Sequence, residues 1–221
     1  METTIGLGGK PHNIGQTKNL KRGLDVPLEN KDAKNLLYQF YKKEVELRRN
    51  EFRFTDTLKA EISEIGDFLT IEERKYGLFI PGNVGNGKST MLRALKDMLS
   101  YLIDKGKMPY CEGDKYPRFV KASDMAEMLI EGRRSEYHDV VSAKYLFLDD
   151  VGEEPTEIVA FGMPMRPLYK IIDYRYEHLL PTFISSNLSA EDICMKYDDE
   201  RLSDRMFEMF KILTFKGDSF R

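Results

Sequence analysis

The 221-residue chain has only two cysteines, Cys111 and Cys194, far apart and with no Cys-x-x-Cys or Cys/His cluster beside either. That argues against a cysteine-based zinc site or a disulfide framework, and two reduced thiols are the expectation. No apolar run approaches the ~18 residues that a membrane span requires. The N-terminus lacks the apolar core of a secretory leader, so a cytoplasmic location is expected. Nor is there a surplus of charge: 34 Lys and Arg against 37 Asp and Glu leave a formal charge of −3. A bulk pull toward nucleic acid is thereby excluded, and any such contact has to come from a local basic patch. What is present suits one soluble domain with a short appendage, 41% hydrophobic and 32% charged.

Residues 1–30 hold five of the sixteen glycines, two of the nine prolines and no apolar periodicity, which predicts a flexible arm. Its Gly6-Leu7-Gly8-Gly9 run has no strand before it and reads as part of that arm. Helical spacing of Leu36, Leu37, Phe40, Tyr41 and Val45 predicts a charged amphipathic helix over 31–53. A second helix is predicted over 56–68, and together they form a helical segment at 31–70. From about residue 71 the pattern alternates short apolar strands with longer amphipathic helices, which predicts an α/β core with a parallel sheet. The strands fall near 76–80, 118–121, 144–149, 181–186 and 211–215. The helices fall near 91–103, 123–132, 167–179, 190–196 and 199–209.

Between the first strand and its helix runs Gly82-Asn83-Val84-Gly85-Asn86-Gly87-Lys88-Ser89, a full match to the Walker A pattern. The glycines let the loop take positive φ and bring its N–H groups up to phosphate oxygens. The helix that follows aims its unpaired N–H groups and dipole at the same anion. Lys88 is positioned to neutralise the β- and γ-phosphates, the Ser89 hydroxyl to sit on magnesium, and Thr90 to touch the α-phosphate. The strand Tyr76–Ile80 before the loop and the helix after it supply the context that a chance match would lack. ATP and Mg2+ are the expected ligands.

A second apolar strand, Tyr145–Leu148, delivers Asp149 and Asp150 at its C-terminal end, as a Walker B strand does. Asp149 is expected to hold magnesium and Asp150 to polarise the attacking water. Glu153 or Glu154 is an alternative base, on a loop that Gly152 would leave mobile. Asp149 lies 61 residues after Lys88, room for an intervening strand and helices. If the strand Thr182–Ser186 inserts between the two motif strands, Asn187 can orient water against the γ-phosphate; otherwise it is a turn residue or a helix cap.

Taken together these segments resemble the DnaC/IstB group of AAA+ ATPases, which includes bacterial helicase loaders. Phe119-Val120-Lys121-Ala122-Ser123-Asp124-Met125 resembles the segment before that group's initiator-type helix. Leu148–Pro155 is similar to its Walker B region, while Asp173-Tyr174-Arg175-Tyr176 and Pro181–Leu188 resemble its sensor-1 region. Glu200-Arg201-Leu202-Ser203-Asp204-Arg205-Met206 resembles box VII, and Phe215–Arg221 its C-terminus. The resemblance covers about residues 76–221. It implies a five-stranded sheet of order 5-1-4-3-2 and ATP-driven self-association. It further implies ssDNA contact near the initiator-type helix and a DnaB-like replicative helicase as partner. By position Asn187 carries over as sensor 1, Arg205 as an arginine finger and Arg201 as a second interface arginine. No lid domain is expected after the core, which leaves a sensor-2 arginine unassigned apart from Arg221. Residues 1–70 show no helicase-binding pattern.

For DNA contact the candidates are Arg118, Lys121, Arg133, Arg134 and Lys144, with Tyr137 for stacking. The alternatives are an IstB-like transposition helper, a small-molecule P-loop kinase, and an adaptor that binds ATP without hydrolysing it. Intact Lys88, Asp149 and Asp150 argue against the last.

Overall fold

The computed structural model describes residues 24, 26–48, 51–70, 75–108 and 116–216. Most of the N-terminal arm, Cys111, and the closing residues including Arg221 lie outside them. Two helices come first, α1 (Asn30–Leu47) and α2 (Asp56–Thr70). They are followed by β1 (Gly77–Pro81), α3 (Lys88–Asp104), β2 (Arg118–Lys121), α4 (Ala122–Ile130) and α5 (Arg134–Val141). Next come β3 (Leu146–Val151), β4 (Ile158–Ala160), β5 (Met163–Met165) and α6 (Pro167–Glu177). The described chain ends with β6 (Thr182–Ser186), α7 (Ala190–Tyr197), α8 (Glu200–Met209) and β7 (Phe210–Ile212).

Five strands form a parallel sheet in the order β2-β3-β6-β1-β7. In chain numbering this is 2-3-6-1-7 and not the expected 5-1-4-3-2. The difference arises because the sequence reading missed β4 and β5, which pair with each other as a separate antiparallel hairpin. With that hairpin left out of the count, the same sheet read from its β7 edge runs 5-1-4-3-2.

Both faces of the sheet are covered, which is why its strands read as unbroken apolar runs rather than alternating ones. On one face Leu78, Ile80, Phe147 and Phe183 pack with α1, α2 and α3. On the other Phe79, Leu146, Leu148 and Ile184 pack with residues of α4, α6, α7 and α8. Phe147 and Phe183 stack across neighbouring strands at 4.4 Å between ring centroids.

The N-terminal helices share this core. Leu37 and Tyr41 of α1 and Ile65 and Leu69 of α2 belong to the same buried cluster as Leu92 and Leu95 of α3. The two helices cross closely at Gly66, where a Cβ would come within 2.3 Å of Lys34 Cγ. Leu24 and Val26, at the end of the predicted arm, are buried in that cluster too, and the Val26 N–H bonds to Leu69 O. Helix α1 ends at Leu47, six residues before the predicted 53, and residues 51–55 are not helical.

Candidate functional site

The phosphate loop hangs between the C-terminal end of β1 and the N-terminus of α3. Gly85 and Gly87 take φ of 88° and 91°, where a side chain would be strained. Gly82 is needed for a different reason: a Cβ there would lie 2.7 Å from Phe215 O and 2.4 Å from Asn86 Nδ2. The Asn86 amide donates to Phe215 O at 3.0 Å, which ties the loop to the segment after β7. Lys88 is buried, and its ammonium donates to Gly82 O at 2.8 Å, Asn83 O at 2.7 Å and Asn187 Oδ1 at 2.9 Å. Burial pushes the Lys88 pKa down, while Asp150, Asp149 and Glu153 oppose that shift. A buried cation whose hydrogen-bond acceptors are all uncharged, set at the positive end of a helix, is a site built for an anion.

The two aspartates sit where the ladder between β3 and β6 slips, between Leu148 and Val151. Asp149 is 2% exposed and accepts a short hydrogen bond from the Ser185 hydroxyl. The same Ser185 oxygen receives the Asp150 N–H at 3.1 Å. Asp150 has φ of 57°, a strained backbone for a residue with a side chain, and its carboxylate faces the cavity with Lys121 Nζ 3.5 Å away. Ser185 therefore sets both acids. Sequence reasoning missed it because a serine inside a buried strand carries no pattern of its own.

Strand β6 lies between β1 and β3, so Asn187 emerges between the two motifs. Its carbonyl oxygen accepts a hydrogen bond from Lys88 Nζ, and its amide donates to Glu153 Oε1 at 3.2 Å. The cap of α7 is Ser189, which forms a capping box with Asp192, so Asn187 is not spent there. The two glutamates separate clearly. Glu153 lines the cavity, whereas Glu154 is buried, bonded to the Tyr197 hydroxyl and to Gly152 N–H. That pairing, with Lys196 on Gly152 O, pins the loop that was expected to be mobile, and it removes Glu154 as a base.

These groups line a cavity of about 630 Å³ that runs from Val84–Thr90, Asp150, Glu153 and Asn187 to Tyr41, Val45, Arg48, Glu51, Phe52 and Arg53. The size suits a nucleotide. Six of the sixteen lining residues come from α1 and the segment after it, for which the sequence offered no role.

The box VII arginines lie elsewhere. Arg205 is 8% exposed and is held by Asp173 and Glu177, with its guanidinium against the rings of Tyr169 and Tyr176. It joins α8 to α6 within one chain and does not line the cavity. Arg201 is exposed and bonds the Tyr169 hydroxyl at 3.3 Å. In the basic patch, Arg133 is paired with Glu131 and Glu136. Tyr137 is half-buried against the core, with its hydroxyl buried.

Arg175 is another residue whose role the sequence hid. It is fully buried and donates to Thr182 Oγ1 and to the carbonyls of Val141, Ala143 and Pro181, so that it ties α6 to the starts of β3 and β6. Burial pushes its pKa down to about 9, which leaves it cationic at neutral pH.

No family model matches the chain, and no curated protein does. Solved structures show its fold. The crystal structure of the DnaC helicase loader aligns at a TM-score of 0.55 and 21% identity, over 75% of this chain and 94% of that one. A candidate primosome component from Streptococcus pyogenes serotype M3 aligns at 0.51 and 21%, over 90% and 86%. AMPPCP-bound DnaA from Aquifex aeolicus aligns at 0.53 and 20%, over 76% of this chain and 49% of that one. The likeness shows the fold, which this chain shares with a helicase loader and with a nucleotide-bound DnaA.

Proposed function

We propose that this chain is an ATPase that loads a replicative helicase onto single-stranded DNA. One observation carries the reading. The insertion of β6 between β1 and β3 puts Asn187 in contact with both Lys88 and Glu153, at the mouth of a cavity that also holds Asp150. A small-molecule kinase has no need of that asparagine, whereas hydrolysis needs a polar group to aim water at the γ-phosphate. Lys88 and the α3 N-terminus neutralise the phosphates. Ser89 and Asp149 are the residues that would hold magnesium, a hard cation that takes oxygen ligands. The metal, when bound, neutralises charge on the β- and γ-phosphates. Asp150 and Asn187 orient the water, and Glu153 steadies Asn187.

Support for helicase loading comes from the likeness to the DnaC helicase loader, and support for action on ssDNA from the motif resemblance of the β2–α4 segment and from a P-loop site coupled to a basic edge. Lys121, at the end of β2, contacts Asp150 directly, so an event at that edge has a short route to the catalytic acid. Self-association through α8 is part of the proposal. Arg201 is the exposed arginine there, while Arg205 would have to leave Asp173 to reach a neighbour's nucleotide.

The test is capture from the source cell with the tagged chain, with and without ATP. Recovery of a hexameric helicase with wild type and its loss with Lys88→Ala support the proposal. Recovery of a transposase instead, or the same capture with and without ATP, overturns the loading role.

A further inference from the structure

Helix α1 supplies a second binding surface to the nucleotide cavity, and its residues divide into two kinds. Arg48, the residue just past the end of α1, reaches across to α3, with its Nη1 3.4 Å from Thr90 Oγ1. Thr90 is in the first turn of α3, so this guanidinium stands at the positive end of the helix dipole, on the same cavity as Lys88. A cation in that place is disfavoured by the dipole and by the second cation. Arg53, nearby, is neutralised by Glu51 at 2.9 Å; among the described residues, no carboxylate makes an ion pair with Arg48. The arrangement becomes favourable once an anion lies between Arg48 and the helix end.

The second kind is aromatic. Phe52 lines the cavity and is held edge-on by Tyr38 at 5.6 Å and Tyr41 at 6.5 Å between centroids. Tyr41 is buried, and Val45 continues the apolar surface. A ring held by these neighbours and by Phe54, on a wall where Tyr41 and Val45 adjoin the charged Arg48, Glu51 and Arg53, offers a π-face to a planar heterocycle.

We infer that the α1 side of the cavity is the base-and-α-phosphate half of a nucleoside triphosphate site, with Phe52 taking the base and Arg48 an oxygen of the innermost phosphate. This rests on the proposed nucleotide function and adds the residues that hold the nucleoside end. It also assigns work to a part of the chain that sequence alone left without any, since binding ligand here bridges α1 to α3.

Two probes separate this inference from the reading it rests on: ATP, and inorganic tripolyphosphate, which keeps the phosphates and lacks the nucleoside. Equilibrium titrations with magnesium are run on the full chain. Phe52→Leu retains an apolar contact with Tyr38 and Tyr41 while losing the ring face, and Phe52→Ala is its companion. Both should bind ATP about tenfold more weakly, because stacking on an aromatic ring is worth that order. Both should bind tripolyphosphate as wild type does. Arg48→Gln should weaken both probes by about tenfold, as loss of a charge-assisted hydrogen bond does, with Arg48→Lys restoring part of it. Thermal melts without ligand establish that each variant is folded. Unchanged ATP affinity in Phe52→Leu and Arg48→Gln, with wild type binding both probes, overturns the inference and leaves the phosphate site standing. Failure of wild type to bind either probe overturns the nucleotide reading itself, and the inference with it.

Discussion

The two ends of the cavity are built in contrasting ways. The phosphate end is made where the sheet stops: a loop after β1, the acids near the end of β3 and Asn187 after β6 all lie at the C-terminal ends of parallel strands. Its acids are held by a neighbour, as Ser185 holds both Asp149 and the Asp150 N–H. The opposite end is a helix and a short segment that precede the sheet in sequence and reach it only by packing on α3. In the proposed function the first end carries the chemistry and is held by the sheet, while the second carries affinity and depends on helix packing. Damage to the first should stop turnover, and damage to the second should raise the nucleotide concentration needed.

Three substitutions sharpen that contrast. The largest effect is expected from Asp150→Asn, which removes the charge proposed to polarise water. Single-turnover hydrolysis should fall about a hundredfold or more while ATP still binds, the order that loss of a general base produces. If turnover is unchanged and Glu153→Gln abolishes it, the base is Glu153. Next comes Ser185→Ala, which touches no ligand but frees Asp149. Its magnesium requirement should rise about tenfold, in line with loss of a group that orients a metal ligand. An unchanged magnesium dependence would make Ser185 a packing residue only.

The smallest effect on the site is expected from Arg175→Met, although its effect on the fold is large. Three backbone carbonyls lose their donor, at a cost of roughly 3 kcal/mol or more. For a chain of this size that lowers Tm by roughly 6–12 °C. Affinity for ATP measured well below the melt should stay within about twofold. A large loss of affinity would show that α6 positions the cavity.

What the sequence disclosed follows the same division. The phosphate loop was legible because its function is carried by contiguous residues, glycines at positions of positive φ and one lysine at a fixed spacing. Asp149 and Asp150 were legible because a buried strand rarely ends in two acids. Asn187 was legible only conditionally, since its use depends on where β6 inserts, which is a long-range fact.

The α1 wall was hidden. Leu36 to Val45 announced a helix, but nothing local says that Tyr41 and Arg48 face a cavity built some forty residues later. Helix α1 also stops short of 53, with Phe52 and Phe54 gathered around Tyr38. Arg175 was read as part of a motif, because an arginine with no acid partner rarely spends its donors on carbonyls inside a core. The β4–β5 hairpin escaped notice because its turn is Phe161-Gly162, with φ of 56° and 76°, where Asn-Gly or Asp-Gly is the usual signature.

The central claim is that this cavity binds ATP through Lys88 and the α3 N-terminus. It is tested most directly by titrating MgATP into wild type and Lys88→Ala and following bound nucleotide at equilibrium. Saturable one-site binding in wild type, weakened at least about a hundredfold in a folded Lys88→Ala, is the expected result. Equal binding by the two proteins, or none by wild type at millimolar nucleotide, would contradict it.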